Sequence, residues 1–276
     1  MAGLRRRSQL YVPGNNEHMI RKSTELEADS VILDLEDAVP ADRKEEARQL
    51  IKRLLGELEW GKREVAVRIN SPSTKEGLRD LALLADLDVD LVVVPKAEGD
   101  LSFIYRSLGV PLEPIIETAR GLAMLEDVIT SEGVVAVTYG PADLALSVGG
   151  QASRYQRSEY VRTALVVAAR AYGVDPIDSV FFDLKDLAGF EAECRDARAL
   201  GYVGKQVIHP SQLPIANAIF SPSREELELA REIVQAYESS AAKGKGAIRF
   251  RDQLIDYVHY MTAKRLLEDY GEGGQG

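Results

Sequence analysis

Cysteine, histidine and long apolar runs are scarce in this chain of 276 residues, and each shortage argues against a class of protein. The single cysteine, Cys194, cannot form an internal disulfide. It lies in a helix-like stretch without a paired base, so a structural role is favoured over a nucleophile. The 3 histidines show no His-x-x-x-His spacing and give no support for zinc. No apolar run approaches the roughly twenty residues of a membrane span.

Positive charge is also in short supply, because 34 basic residues face 44 acidic ones and the formal net charge is -10. This balance argues against sequence-independent nucleic-acid binding, which depends on phosphate neutralisation. The basic cluster Arg5, Arg6 and Arg7 lacks the apolar stretch that follows the charged start of a targeting signal. Two interpretations of the cluster stay open, a solvated tail or a contact with an anionic ligand. We expect a cytoplasmic protein with neither nucleic-acid nor membrane partners.

Short β-rich runs alternate with stretches of helical spacing along most of the chain. The predicted strands are Leu10–Val12, Ser30–Leu35, Val65–Asn70, Leu91–Pro95, Leu112–Glu117, Val134–Tyr139, Ser179–Phe182 and Val203–His209. Eight strands in alternation with helices favour an α/β fold of the (β/α)₈ barrel type, a TIM barrel. No Gly-x-Gly-x-x-Gly follows the first strand, so a nucleotide-binding open sheet is the weaker interpretation.

The barrel is expected to occupy residues 1–220, followed by a C-terminal helical extension over residues 221–268. A linker rich in Ser, Ala and Gly, residues 239–246, divides the extension. Beyond it, Leu254, Ile255, Val258 and Met261 form an apolar stripe that should dock, and a neighbouring subunit is one candidate surface. Residues 269–276 are expected to be a disordered tail.

Two acids follow neighbouring predicted strands, Glu117 at the end of the fifth and Asp143 just beyond the sixth. In a barrel of this kind, both would open on the rim formed by the carboxyl ends of the strands. Hard carboxylate oxygens so placed suit Mg²⁺, which takes one or two protein carboxylates and fills its other positions with water and substrate oxygens. The alternative is that these acids form ion pairs or cap helices.

Further charged residues follow the second and third strands. Asp34, Glu36 and Asp37 could hold metal-bound waters or orient Arg68, whose guanidinium fork matches a carboxylate. A structural ion pair between Arg68 and Asp37 is the alternative. Other polar residues expected on this rim are Asn70, Lys96, Asp183, Lys205 and His209, the last either capping a helix or contacting a ligand.

The segment from Tyr11 to Glu17 predicts a strand that breaks at Pro13 and Gly14 and continues into an Asn-capped helix. Helix N-termini attract phosphates and other anions, although a plain strand-to-helix turn explains the same pattern.

Several motifs together resemble the citrate lyase β-subunit-like enzymes of the HpcH/HpaI aldolase and citrate lyase superfamily, which include malyl-CoA and citramalyl-CoA lyases. The resemblance extends from about Arg6 to Leu267. The motifs are Arg-Arg-Ser-Gln-Leu-Tyr-Val-Pro-Gly-Asn-Asn, Leu-Asp-Leu-Glu-Asp-Ala-Val, Val-Arg-Ile-Asn, Ile-Glu-Thr-Ala-Arg-Gly, Gly-Pro-Ala-Asp-Leu and Gly-Lys-Gln-Val-Ile-His-Pro-Ser-Gln.

The resemblance implies a Mg²⁺-dependent, Claisen-type cleavage of a 3-hydroxyacyl-CoA, such as citramalyl-CoA, malyl-CoA or citryl-CoA, into acetyl-CoA and a 2-oxoacid. It makes Glu117 and Asp143 the metal ligands and directs Arg68 at the oxoacid. It also places an acid after a Gly-rich linker over a neighbouring subunit's site, and Asp256 fits that position as the acid-base group. The family often has Pro soon after this acid, whereas Tyr257 and Val258 follow Asp256 here.

The CoA thioester is expected to lie over the N-terminal segment, where Tyr11, Pro13, Arg7 and Lys22 could meet its nucleotide. A homotrimer, alone or doubled into a hexamer, is the implied assembly. Three alternatives stay open: a malyl-CoA thioesterase, a citrate lyase β subunit working inside a complex, and an aldolase acting on free hydroxy-oxoacids.

Overall fold

The structure, a computed structural model, describes residues 5–241 and 247–270. The chain divides into two compact units, one spanning Arg5–Phe220 and the other beginning at Ser221. Within the described ranges, no helix combines the length and the apolar character needed to cross a bilayer.

The first unit is built on a closed barrel of parallel strands in chain order, so the predicted (β/α)₈ fold is confirmed. The strands are β1 Ser8–Pro13, β2 Ser30–Asp34, β3 Glu64–Arg68, β4 Leu91–Val94, β5 Leu112–Ile116, β6 Ala136–Tyr139, β7 Asp175–Asp178 and β8 Gly204–Val207. The barrel closes where β1 pairs with β8, with Gln9 opposite Gln206.

The seventh strand was predicted at the wrong place. Residues Ser179–Phe182 follow the strand, and the strand itself is Asp175–Asp178. Its sequence Asp-Pro-Ile-Asp has low β-propensity, because Asp and Pro disfavour strands. Tertiary contacts offset this: Asp178 is wholly buried and accepts a hydrogen bond from Lys205 Nζ at 2.5 Å.

Helices cover the outside of the barrel. They are α1 Glu17–Ser23, α2 Lys44–Glu57, α3 Lys75–Leu84, α4 Ser102–Leu108, α5 Ala119–Ala123, α6 Leu125–Ile129, α7 Pro141–Val148, α8 Ala152–Gln156, α9 Glu159–Ala171, α10 Leu187–Leu200 and α11 Leu213–Ile219. Side chains cap several of them at the start, including Asn16 on α1, Thr74 on α3 and Thr118 on α5.

Alternate residues of each strand face opposite sides of the barrel wall. Most of the large core lies between strands and helices, whereas a small apolar cluster built on Ile32, Ala66, Leu91, Val93 and Ile115 fills the interior. Cys194 belongs to the outer core, and burial raises the pKa of its thiol to about 12. The prediction of a structural cysteine is confirmed.

The amino-terminal end of the barrel is closed by ion pairs. Arg6 donates to Glu64 and to Asp175, and Arg7 pairs with Asp29 at 2.7 Å. Both interpretations of the arginine cluster are therefore wrong for Arg6 and Arg7. These side chains compensate acids at the starts of strands, opposite the rim where the carboxyl ends meet.

Lys205 was expected on the rim but is wholly buried between the barrel wall and α10. Its ammonium donates to Asp178, to the carbonyl of Ser179 and to Glu193. Arg162 of α9 lies 3.7 Å from the same Asp178. This charged cluster holds β7, β8 and two helices together, and it leaves Lys205 without access to a ligand.

The second unit contains two helices and a hairpin. They are α12 Arg224–Ala241, β9 Ile248–Phe250, β10 Gln253–Ile255 and α13 Tyr257–Tyr270. Ile248, Ile255 and Tyr237 form its small core, and the rings of Tyr237 and Tyr260 stack at 4.7 Å. Of the predicted linker, residues 242–246 lie outside the described residues.

The predicted apolar stripe is divided in this unit, because Ile255 is buried while Leu254, Val258 and Met261 are exposed. The disordered tail was predicted from residue 269, but Asp269 and Tyr270 end α13. The remainder, residues 271–276, lies outside the described residues.

The barrel interior contains a wholly buried acid, Glu113, which accepts hydrogen bonds from Gln9 at 2.5 Å and Gln206 at 3.0 Å. Burial raises its pKa from 4.5 to about 7. The folded state therefore holds this proton more tightly than the unfolded state. Its contribution to stability is complete below pH 4.5 and is lost as the pH rises to about 7, by roughly 3 kcal/mol.

We expect Glu113→Gln to flatten the pH dependence of unfolding, because glutamine does not ionise. Urea unfolding at pH 5 and pH 8 should show the wild type losing stability relative to the variant by roughly 2 kcal/mol. The matched control is Glu132→Gln, which changes an exposed acid. Parallel pH profiles for the wild type and Glu113→Gln would contradict this assignment.

Candidate active site

Glu117 follows β5 at the carboxyl rim and is nearly inaccessible, with 3% of its surface exposed. Its Oε1 accepts the backbone N–H of Lys96 at 2.7 Å. The next residue, Thr118, caps α5 by accepting the N–H of Gly121 at 2.8 Å. The cap fixes the main chain directly after Glu117, and the N–H of Lys96 holds its carboxylate.

Asp143 lies in the first turn of α7, and it is half-buried. The helix begins with Pro141, whose fixed φ suits the first helical position, after Gly140. A Cβ on Gly140 would meet Glu117 Oε2 at 2.4 Å. The glycine therefore makes room for Glu117 beside the helix that carries Asp143.

The electrostatics of this pair suit a cation. Burial, followed by the charges of Glu36 and Asp143, raises the pKa of Glu117 from 4.5 to about 8, and Lys96 opposes the shift. Within the described residues, neither Glu117 Oε2 nor the Asp143 carboxylate has a hydrogen-bond or ion-pair partner. A divalent ion would supply the missing positive charge.

The number of donors also fits a particular kind of ion. In the part of the chain that the structure describes, no group of three or more Asp, Glu, His or Cys side chains is arranged to hold a metal. Two carboxylates are enough for Mg²⁺, which keeps several waters and takes substrate oxygens as further ligands. Zinc and calcium sites normally need more protein donors.

Arg68, at the end of β3, is held in a two-pronged contact with Asp34. Its Nε and Nη2 lie 2.7 and 2.6 Å from the two carboxylate oxygens. Asp34 also accepts the backbone N–H groups of Glu36 and Ala38. The predicted ion pair with Asp37 is present at 3.8 Å, but Asp37 is largely exposed and Asp34 takes the fork.

The contact with Asp34 does not involve Nη1 of Arg68. Its Nη1 lies 3.3 Å from Glu36 Oε2, and its guanidinium lies 4.8 Å from the centre of the Tyr11 ring. Glu36 in turn accepts a hydrogen bond from Lys96 Nζ at 2.6 Å. A line of alternating charges therefore joins Asp34, Arg68, Glu36 and Lys96, and the backbone N–H of Lys96 continues it to Glu117.

The expected nucleotide contacts do not form one surface. Tyr11 packs against the interior cluster and Arg68, so its ring faces the barrel mouth. Pro13 ends β1 and is half-buried. Lys22, on α1, is exposed and pairs with Glu25, and Arg7 lies at the opposite end of the barrel. Arg7 is therefore a wrong assignment.

Three other residues expected on the rim have structural roles. The His209 ring caps the turn at Pro210 by accepting the N–H of Ser211, which is the capping alternative. Asn70 donates to Asp80 and to the carbonyl of Leu35. Asp183 is exposed in the loop after β7 and accepts the N–H of Lys185, because the strand ends five residues earlier.

Asp256 lies in the second unit, directly before α13. Its Oδ1 accepts the N–H groups of Val258 and His259 and lies 2.7 Å from the His259 ring nitrogen. The contact with His259 lowers the pKa of this exposed carboxyl. Asp256 is therefore ionised at neutral pH and able to accept a proton.

Lys96 was placed on the rim from sequence, but no function was assigned to it. Its contact with Glu117 comes from the backbone, since φ is +50° and the N–H donates to Glu117 Oε1. A Pro-Lys-Ala-Glu stretch after a strand carries no pattern that predicts such a conformation. Only the packing of β2, β4 and β5 reveals this contact.

The HpcH/HpaI aldolase/citrate lyase family model matches residues 7–102 and 109–210 of the chain. Relatives of known activity match over most of their length. A (3S)-malyl-CoA thioesterase of Cereibacter sphaeroides is 36% identical over 95% of this chain and 93% of that protein. The mitochondrial citramalyl-CoA lyase of Mus musculus is 36% identical over 95% of this chain and 85% of that protein.

The protein CitE from Mycobacterium tuberculosis, solved with magnesium, acetoacetate and coenzyme A, is similar in structure. It superposes with a TM-score of 0.83 at 30% identity, covering 99% of this chain and 100% of that chain.

Substitution of Glu117 tests the cation site directly. We expect Glu117→Ala to lose Mg²⁺ binding in isothermal titration calorimetry while keeping its circular dichroism spectrum, because half of the protein donor set is removed. Glu59→Ala, which removes an exposed acid after α2, is the matched control and should bind as the wild type does. Undiminished binding by Glu117→Ala would remove Glu117 from the ligand set.

Proposed function

The chain belongs to the HpcH/HpaI aldolase/citrate lyase family, and from this premise we propose that it is a Mg²⁺-dependent carbon-carbon lyase. Its substrate would be a 3-hydroxyacyl-CoA of the citramalyl-CoA, malyl-CoA or citryl-CoA type, cleaved into acetyl-CoA and a 2-oxoacid. The observation that carries the proposal is the pair Glu117 and Asp143. Neither acid has an ion-pair partner among the described residues, and Arg68 on the same rim keeps its Nη1 outside the two-pronged contact with Asp34.

The reaction breaks the bond between the carbinol carbon and the carbon next to the thioester. The hydroxyl oxygen loses a proton and becomes the ketone, and the electron pair of the broken bond becomes the enolate of acetyl-CoA. Protonation of that carbon completes the products, so no oxidant or further reactant is needed. When bound, Mg²⁺ supplies positive charge that favours loss of the hydroxyl proton and stabilises the developing ketone.

Glu117 and Asp143 would hold the ion. Arg68 would face the carboxylate of the oxoacid half, and Asp34 would keep the guanidinium oriented through its two-pronged contact. Glu36 carries the second negative charge next to Arg68, and Lys96 neutralises it. Asp37, which is largely exposed, would act through water.

Asp256 is proposed as the acid-base group. In the condensation direction it would remove a proton from the methyl group of acetyl-CoA. In cleavage it would take up the proton that leaves the substrate hydroxyl and return one to the enolate carbon. Its lowered pKa supports the ionised starting state that the first of these steps needs. We propose that it reaches the site of a neighbouring subunit in a homotrimer or hexamer working in the cytoplasm.

The thioester would lie near the N-terminal segment. Pro13 and Lys22 would contact CoA, and Lys22 is accessible because it is exposed. Tyr11 would contact the acyl half instead, since its ring lies against Arg68.

A thioesterase is the second candidate, and the 36% identity to a (3S)-malyl-CoA thioesterase favours it specifically. Product analysis separates the two activities. A lyase releases acetyl-CoA and a 2-oxoacid, which forms a phenylhydrazone, whereas a thioesterase releases free CoA thiol and a hydroxydiacid. We expect phenylhydrazone formation from citramalyl-CoA or malyl-CoA that requires Mg²⁺. Failure of the folded protein to cleave any of these thioesters would remove the lyase proposal.

Asp256→Asn tests the acid-base group. We expect turnover to fall by about a hundredfold or more with Mg²⁺ binding unchanged, because the amide cannot transfer the proton. The matched control is Asp252→Asn, an exposed acid in the hairpin turn of the same unit. Normal turnover by Asp256→Asn would leave that residue only its role in capping α13.

Mixing two inactive variants tests whether the site is shared between subunits. Arg68→Ala and Asp256→Asn should each be inactive alone. After joint unfolding and refolding, hybrid oligomers should regain part of the activity, because some sites combine an intact Arg68 with an intact Asp256. Absence of regained activity in mixed oligomers verified by native mass spectrometry would place both residues in one subunit's site.

A further inference from the structure

Lys96 adopts a backbone conformation that is unfavourable for its residue type. Its φ is +50°, and within the described residues only Arg251 shares a positive φ among residues other than glycine. A side chain in this left-handed region is strained, and such strain persists only where surrounding contacts hold it. The contacts around Lys96 are therefore informative.

Contacts with β2 and β5 hold Lys96 in place at the end of β4. Its backbone N–H donates to Glu117 Oε1, beyond β5, at 2.7 Å. Its ammonium donates to Glu36 Oε1, beyond β2, at 2.6 Å. The following N–H, that of Ala97, donates to the carbonyl of Ile115 in β5 at 3.2 Å. The left-handed turn is what allows one residue to direct its N–H and its side chain at two different acids.

The hydrogen bond from Lys96 has a directional consequence for Glu117. The hydrogen bond engages Oε1 and leaves Oε2 facing Gly140. This glycine directly precedes α7, whose first turn contains Asp143. Without the hydrogen bond, a glutamate side chain with three rotatable bonds would have to be ordered when the ion binds. A fixed N–H removes that requirement and holds the carboxylate in a single orientation.

We propose that Lys96 is a positioning residue for the cation site, acting through its left-handed main chain. Its N–H presets the Glu117 carboxylate, and its bond to Glu36 anchors the strained conformation. This inference deepens the proposed function and rests on it, because it takes Glu117 as a ligand of Mg²⁺.

A pair of variants separates the main chain from the ammonium. Lys96→Asn and Lys96→Val are similar in size, and both lack the positive charge. Asparagine tolerates the left-handed region, whereas a β-branched valine does not. We expect Lys96→Val to bind Mg²⁺ about tenfold more weakly than Lys96→Asn, as for a lost hydrogen bond to a charged group. Titration calorimetry without substrate measures this difference independently of catalysis.

A second pair keeps the test decisive if Lys96→Val fails to fold. Lys96→Ala and Lys96→Gly differ by one methyl group, and only glycine adopts the left-handed region without strain. Lys96→Ala should bind Mg²⁺ more weakly than Lys96→Gly, provided that both variants have the circular dichroism spectrum of the wild type. Equal affinities within both folded pairs would overturn the proposal.

The wild type and Glu117→Ala are the positive and negative controls for Mg²⁺ binding. If the wild type binds Mg²⁺ and Glu117→Ala does not, the cation site stands, and equal affinities of the Lys96 pairs refute only the positioning role. If the wild type does not bind Mg²⁺, the proposed function fails together with this inference. The two failures are therefore distinguishable.

Discussion

Charge compensation at the carboxyl rim is the constraint on which the rest of the site depends. Buried acids are tolerated only when a cation or hydrogen-bond donors offset their loss of hydration. Asp34 is compensated by the Arg68 fork and Glu36 by the Lys96 ammonium. Glu117 accepts only a backbone N–H, which does not offset its loss of hydration, so its pKa is raised. A dication would supply the missing compensation and favour the ionised form of Glu117.

The same rule organises the barrel away from the rim, with the opposite outcome. Arg6 satisfies Glu64 at the amino-terminal end, and Lys205 satisfies Asp178 and Glu193 behind the wall. These clusters pair cations with acids inside the protein, so they have no charge to offer a ligand. Of these charged clusters, only the one at the carboxyl rim leaves an acid incompletely compensated.

Backbone geometry decides which oxygens remain available. Gly140 leaves space beside Glu117, Thr118 fixes the start of the next helix, and the strained Lys96 directs its N–H at one carboxylate oxygen. None of these three contacts uses a side-chain charge. Rigid elements thus orient the acids before any ligand arrives, which lowers the ordering cost of binding.

The sequence by itself determined the eight-strand alternation and the set of acids on the rim, because strand period and residue type are local properties. It located Glu117, Asp143, Asp34 and Arg68, whose residue types alone suggest their chemistry. Tertiary structure alone decided the pairings: Asp34 rather than Asp37 takes the arginine, and Lys205 turns away from the rim. Residues far apart in the chain compete for the same partner, and only the closed barrel sets the distances that settle the competition.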